Sequence, residues 1–179
     1  DTEDQALVYL YMASSSSSSE DYERLLGDFI AKFPDNADGY LRRANFYVVK
    51  AKEDASFFDK AAQDMEAAQK VAKKKDDVLY NIAKLIYAYQ LEKPEKTYND
   101  WTFETALNQI RQAMELNPLP IYVQLEGDIL FAMQDYAGAL AAYEQVNRSN
   151  LASPATFFSA AKTKELMKAE SGEILALMD

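Results

Sequence analysis

The stretch that decides the fold is residues 120–146, which read PIYVQLEGDILFAMQDYAGALAAYEQV. Its first part places Val123, Gly127 and Leu130 on one face of a helix, because they recur at spacings of four and three. Gln134-Asp135 then predicts a turn. A second apolar stripe with helical spacing follows at Tyr136, Ala139, Leu140, Tyr143 and Val146. This stretch therefore predicts a pair of helices joined as a hairpin.

The same arrangement recurs along the chain. Breaks rich in proline, asparagine or aspartate lie at 34–36, 75–77, 117–120 and 153–154, and each precedes a new apolar periodic stretch. Such residues favour helix starts, since Asp, Asn and Ser cap helices and Pro fits the first turn. One small residue lies deep in each first helix, at Ala44, Ala83, Gly127 and Ala161, with separations of 39, 44 and 34 residues. We predict one array of units at about 1–36, 37–75, 76–119, 120–153 and 154–179, the last incomplete.

Four stretches of the sequence predict where individual helices begin or end. The six serines at 14–19 read as an inter-helix connection, and the polar insertion at 91–100 should end with Asn99 or Asp100 capping the next helix. The lysines at 73–75 suit a helix C-terminus, where cations meet the last carbonyls. Residues 154–167 read as a first helix, and a second should begin at Glu173.

Residues 136–143 and 106–118 resemble the tetratricopeptide repeat (TPR) family, whose 34-residue pattern is W-x2-L-G-x2-Y…A-x3-F…P. Here the tryptophan place is held by Tyr40, Leu79, Val123 and Phe157, and the leucine place by Arg43 and Glu126 in two units. The resemblance implies an all-α fold, a right-handed superhelical array of antiparallel hairpins. It also implies that the first helices line a concave face that binds peptides or partner proteins.

Composition supports helices and excludes several functions. The chain of 179 residues has 27 alanines and 18 leucines against seven valines and seven isoleucines, which favours helix over sheet. It has no cysteine and no histidine, so Ser-His-Asp catalysis and the usual zinc sites are excluded. The net charge of −10 disfavours nucleic acid as a partner. The sequence contains no stretch of 18 apolar residues, so it predicts no membrane-spanning helix.

No catalytic constellation is visible. The carboxylates Glu126 and Asp128 are two residues apart and so point to different faces of a helix. There is no glycine-rich phosphate loop, and we predict no enzyme activity, no cofactor and no metal. The triplet Asn147-Arg148-Ser149 matches a glycosylation acceptor but is common by chance. The only tryptophan, Trp101, stands at a helix start and is expected to be packed there.

The candidate binding residues are polar or aromatic side chains expected to face the groove: Arg42, Asn45, Tyr80, Asn81, Lys84, Tyr87, Gln124, Asp128 and Phe131. Asn45 and Asn81 match two places of the clamp with which some TPR proteins hold a partner's terminal carboxylate. Leu41, Ile121 and Leu125 stand where that clamp needs basic residues, so the clamp is not predicted.

The function predicted is a protein- or peptide-binding scaffold. The alternative is a structural or self-assembly module of a longer protein, which would associate through its C-terminal end. Apolar side chains at Ile174, Leu175, Leu177 and Met178 motivate that alternative, because terminal repeats usually carry a polar cap. The chain starts at Asp1 without a signal peptide, so we expect a processed, soluble protein of the cytoplasm or the cell envelope.

Overall fold

The structure is a computed structural model that describes residues 5–6, 8, 11–12, 15, 18–92 and 100–178, the side chains of 170 and 172–178 excepted. Within those residues the chain forms eight helices and no strand. They are α1 Ser19–Lys32, α2 Ala37–Lys50, α3 Phe57–Val71, α4 Lys75–Glu92, α5 Phe103–Leu116, α6 Pro120–Ala132, α7 Tyr136–Asn147 and α8 Pro154–Met178. The predicted all-α helical repeat array is confirmed.

The helix starts follow the capping residues of the sequence. Helices α2, α4, α6 and α8 begin within one residue of the predicted starts of the units. The side chain of Asn36 accepts the Asp38 N–H at 3.0 Å, and that of Asp135 accepts the Gly138 N–H at 3.0 Å. Each bond satisfies a backbone donor that has no partner inside its own helix.

The cap of α5 differs from the prediction. Thr102, with an extended backbone, accepts the Thr105 N–H at 3.1 Å and is the N-cap. Asp100 contacts the first turn only through its backbone carbonyl, which accepts from the Thr105 hydroxyl, and Asn99 lies outside the described residues. A similar bond gives the serine run one defined role, because the Ser18 hydroxyl accepts the Asp21 N–H at 3.1 Å and caps α1.

Two predicted boundaries are wrong. Helix α3 ends at Val71 and α4 begins at Lys75, so Lys73 and Lys74 lie in the connection. The first turn of α4 is acidic, which favours the start of a helix directly after these lysines, since carboxylates stabilise a helix N-terminus. The predicted break before Glu173 is also absent, because α8 runs on to Met178. The Ser171 hydroxyl donates to the Met167 carbonyl at 2.9 Å, a bond that accommodates serine inside a helix.

The chain divides into two compact units, unit 1 at Asp1–Leu85 and unit 2 at Ile86–Asp179, with the boundary inside α4. In unit 1, α2 packs against both α1 and α3. Arg43, which holds a leucine place of the repeat pattern, donates from Nε and Nη2 to the two carboxylate oxygens of Asp64, each at 2.8 Å. This paired contact between α2 and α3 explains how a polar residue occupies a packing position.

In unit 2, α5 packs on α6, α6 on α7 and α7 on α8. Short connections join these neighbours, so they run antiparallel. Gln134, with φ of 64°, turns the chain between α6 and α7 in the left-handed region. Glu126 holds the other polar leucine place and accepts from Arg111 Nε of α5 at 2.8 Å. The single array over 1–179, with its five units, stays a prediction.

Candidate partner-binding site

Unit 2 contains a cavity of about 220 Å³ between residues of α4, α6, α7 and α8. We call it the aromatic cavity. Its volume is below the range of about 300–1,000 Å³ typical of small-molecule sites, and it suits a single side chain better than a cofactor. The lining residues are Tyr87, Asp128, Phe131, Tyr143, Phe158, Ser159 and Lys162.

Helix periodicity explains how these side chains converge. Asp128 and Phe131 are three residues apart on α6 and therefore share one face. Phe158 and Lys162 are four apart on α8 and share another. Tyr143 comes from α7, which packs on both of these helices.

A carboxylate dominates the electrostatics of the aromatic cavity. The Tyr143 hydroxyl donates to Asp128 Oδ1 at 2.8 Å. Burial raises the pKa of Asp128 above its ordinary value, and the hydrogen bond from Tyr143 opposes that rise. Within the part of the chain that the structure describes, Asp128 Oδ2 accepts no hydrogen bond. One carboxylate oxygen is therefore left for a ligand.

The neighbouring phenols respond to the same environment. Burial, and then the charge of Asp128, raise the pKa of Tyr87 to about 12. The same two causes raise the pKa of Tyr143 further. The raised pKa keeps both phenols protonated well above neutral pH, so the Tyr143 hydroxyl keeps its bond to Asp128 and the Tyr87 hydroxyl keeps its proton.

Aromatic rings form the walls of the cavity. The Phe131 ring packs edge-on against Tyr136, with centroids 5.5 Å apart. Phe158 is 70% exposed, which is unusual for so large an apolar side chain. The Lys162 ammonium lies 5.8 Å from the centre of the Phe131 ring and makes no ion pair with any described residue. A cation therefore already rests on one aromatic face of the cavity.

The structure brings together three of the nine predicted residues, Tyr87, Asp128 and Phe131. Gln124 is half-buried on α6 but does not line the cavity. The other five lie in unit 1: Arg42, Asn45, Tyr80, Asn81 and Lys84. A groove that joins the two sets stays a prediction.

The five residues of unit 1 differ in how far they are engaged. Arg42 and Asn45 are exposed on α2. The Asn81 side chain donates to the Asp77 carbonyl at 2.8 Å, so one of its donors is used within α4. The Lys84 ammonium lies 5.5 Å from the centre of the Tyr80 ring.

Sequence reasoning missed four residues of the aromatic cavity: Tyr143, Phe158, Ser159 and Lys162. The apolar stripe predicts only packing for Tyr143, and this side chain is indeed buried. The pair Phe157-Phe158 carries a usable signal, because adjacent helical residues lie about 100° apart around the helix axis and two large rings side by side leave at least one away from the centre of the packed face. The position four residues later, Lys162, then follows from the helical period.

Two further sequence features have structural explanations. Trp101 is buried and packs edge-on against Tyr89 at 5.7 Å between ring centroids, which confirms the packed role. Asn147 Oδ1 accepts from the Thr156 hydroxyl at 2.6 Å, so this side chain of the glycosylation triplet links α7 to α8.

Among the described residues, no cluster of three acidic residues is placed to hold a metal ion. The described helices also include none that is long and apolar enough to cross a membrane.

Comparison with known proteins identifies the family. A family model described as a tetratricopeptide repeat-like domain matches residues 2–165. A search of the curated proteins finds no match.

Proposed function

Because the chain belongs to the tetratricopeptide repeat-like family, we propose that it is a non-catalytic scaffold for a partner protein or peptide. The aromatic cavity of unit 2 would receive one side chain of that partner. The observation that carries this proposal is the open carboxylate oxygen of Asp128 among aromatic walls.

The composition of the cavity supports the proposal. Binding hot spots are rich in tyrosine, arginine and other residues that combine rigid contact area with a polar group. Tyr87 and Tyr143 provide both, and Phe158 offers an exposed ring. A partner that covered Phe158 would remove its apolar surface from water, which favours association.

Site-specific photo-crosslinking tests the proposal in the cells that produce the protein. The photoreactive residue p-benzoylphenylalanine replaces Phe158, and in a control it replaces Leu116. Leu116 is 60% exposed in the same unit but does not line the cavity. We expect a discrete crosslinked partner from position 158 and none from position 116. Equal crosslinking at both positions, or none at either, would refute the assignment.

The groove predicted over both units has its own test. The pair Asn81→Ala with Tyr87→Ala should weaken capture of that partner, because it removes a polar and an aromatic contact. The control pair, Glu66→Ala with Lys70→Ala, removes an exposed ion pair of 3.0 Å on α3. Loss of binding in the control alone would place the binding face on the second helices of the hairpins.

A second candidate function is a structural or self-assembly module. Phe157 and Phe158 of α8 are 56% and 70% exposed, and a second copy of the chain could cover them. The same crosslinking separates the two functions. A product of twice the 20.2 kDa chain mass, with the mass-spectrometric peptides of this chain alone, would favour self-assembly. The side chains at 174–178 that suggested association through the C-terminal end lie outside the described residues.

A further inference from the structure

We propose that the side chain received by the aromatic cavity is a cation, a lysine or arginine from a basic segment of the partner. This inference rests on the proposed function and specifies the chemistry of the anchoring residue. Two groups carry it: the open Oδ2 of Asp128 and the aromatic faces of Phe131 and Phe158 beside it.

The carboxylate favours a positive ligand because it is incompletely compensated. Asp128 is half-buried, and its described hydrogen bond is the one from the Tyr143 hydroxyl. A neutral donor offsets only part of the cost of burying a charge. A ligand ammonium or guanidinium that reaches Oδ2 would supply a charge-assisted hydrogen bond, which is stronger than a neutral one.

The aromatic walls favour the same ligand. The face of an aromatic ring attracts cations, and this attraction strengthens as water is removed. Lys162 already makes such a contact with Phe131, at 5.8 Å from the ring centre. The long methylene stem of lysine or arginine would pack against Phe158 while its charged end reaches Asp128.

Lys162 is therefore a cation that already lies in the cavity. A cationic ligand must either displace the Lys162 side chain or bind beside it. Its ammonium lines the same cavity and repels an incoming positive charge. An anionic ligand could use Lys162 and the Ser159 hydroxyl, but it would face the Asp128 carboxylate. The net charge of −10 further steers basic rather than acidic segments to the protein.

The test is a nuclear magnetic resonance titration of the full chain, ¹⁵N-labelled, at about 0.15 M salt, where the Debye length of about 8 Å screens distant charges. The probes are three blocked dodecapeptides that alternate alanine with lysine, norleucine or glutamate. We expect the lysine peptide to shift the amide signals of residues 128–131 and 158–162. The norleucine peptide should bind about tenfold more weakly, and the glutamate peptide should not bind.

Four variants make the test specific. Asp128→Asn should weaken the lysine peptide about tenfold, which corresponds to about 1.4 kcal/mol. Glu115→Gln removes the same charge from an exposed position outside the cavity and should change affinity less than twofold. Lys162→Met should tighten binding of the lysine peptide about threefold by removing the competing ammonium. The spectra themselves report whether each variant is folded, and Phe131→Leu offers a second way to weaken the cavity.

Several outcomes would overturn the inference. Equal binding of the lysine and norleucine peptides would show that the cavity binds apolar side-chain surface and does not select a positive charge. Equal effects of Asp128→Asn and Glu115→Gln would show attraction by net charge alone. Binding of the glutamate peptide that Lys162→Met abolishes would show an anion site. If crosslinking at position 158 still captures a partner in any of these cases, the scaffold function stands and only the cation is wrong.

Discussion

The substitution Gly127→Ala tests the link between helix packing and the aromatic cavity. A Cβ atom at position 127 would lie 2.9 and 3.0 Å from two ring carbons of Tyr143 and 3.2 Å from the Cβ of Ala142. Real Cβ atoms essentially never approach other atoms closer than 3.0 Å. The Tyr143 ring must therefore move, although it is buried and its hydroxyl is held by Asp128 at 2.8 Å.

Three effects set the change that Gly127→Ala makes in the free energy of unfolding. Alanine in place of glycine inside a helix contributes about 1 kcal/mol of stability. Overpacking of a well-packed core costs about 1–3 kcal/mol. A hydrogen bond to a charged group contributes about 1.5–3 kcal/mol to stability, and weakening the bond from Tyr143 to Asp128 loses part of that contribution. The net expectation is a loss of about 2 kcal/mol in the free energy of unfolding.

Urea denaturation, monitored by tryptophan fluorescence, measures this loss in unit 2, because Trp101 is the only tryptophan and is buried there. Gly27→Ala is the matched control, since a Cβ at position 27 meets nothing within 4 Å. Circular dichroism should show that the control stabilises the chain by about 1 kcal/mol.

The double variant Gly127→Ala with Tyr143→Leu isolates the clash. Against the Tyr143→Leu background, Gly127→Ala should no longer destabilise, because the ring that it strikes is gone. A Gly127→Ala protein that is stabilised as the Gly27→Ala protein is would refute the predicted clash. The predicted clash is also refuted if the full loss persists in the Tyr143→Leu background, since the cause then lies elsewhere.

Three further predictions concern packing and titration. Gly39→Ala should destabilise unit 1 by about 2 kcal/mol in urea denaturation, because the new Cβ would lie 2.5 and 2.6 Å from the buried Phe29 ring. Arg43→Ala should cost about 3 kcal/mol by leaving the buried Asp64 carboxylate unpaired, and the double change Arg43→Met with Asp64→Leu should recover most of that loss. Tyr87 has a folded pKa of about 12 against an ordinary 10, so its contribution to stability is complete below about pH 10 and is lost as the pH rises towards 12. Urea midpoints measured between pH 9 and 12 should fall less steeply for Tyr87→Phe.

Much of the fold could be predicted from the sequence because its signals are local. A side chain such as Asn36 bonds to a backbone N–H two residues on, and a helical stripe is read within one helix. The errors arose where two local signals compete. The lysines at 73–75 suit a helix C-terminus, but α3 ends at Val71 and the acidic residues after the lysines favour the start of α4 there. The predicted break between 167 and 173 is absent, because α8 is continuous and the Ser171 hydroxyl bonds back to Met167 within it.

The candidate site was less predictable because it depends on how helices meet. Asp128 and Phe131 share a helical face, so their proximity follows from the sequence alone. Their neighbours Phe158 and Lys162 come from α8, and no spacing within one helix reports which residues of another lie opposite. The family resemblance implies that first helices supply the site, so it does not predict Tyr143, which lies on α7.

Tyr143 shows why packing and binding cannot be separated in this protein. Its ring fills the space opened by Gly127, and its hydroxyl donates to the carboxylate of the very next residue, Asp128. Burial raises the pKa of Asp128, so the ionised carboxylate costs stability, and that cost is relieved only as the pH falls through the raised pKa. The bond from Tyr143 offsets part of the cost while leaving Oδ2 open. The same ring thus fixes the distance between α6 and α7 and holds a charged acceptor in place for a partner.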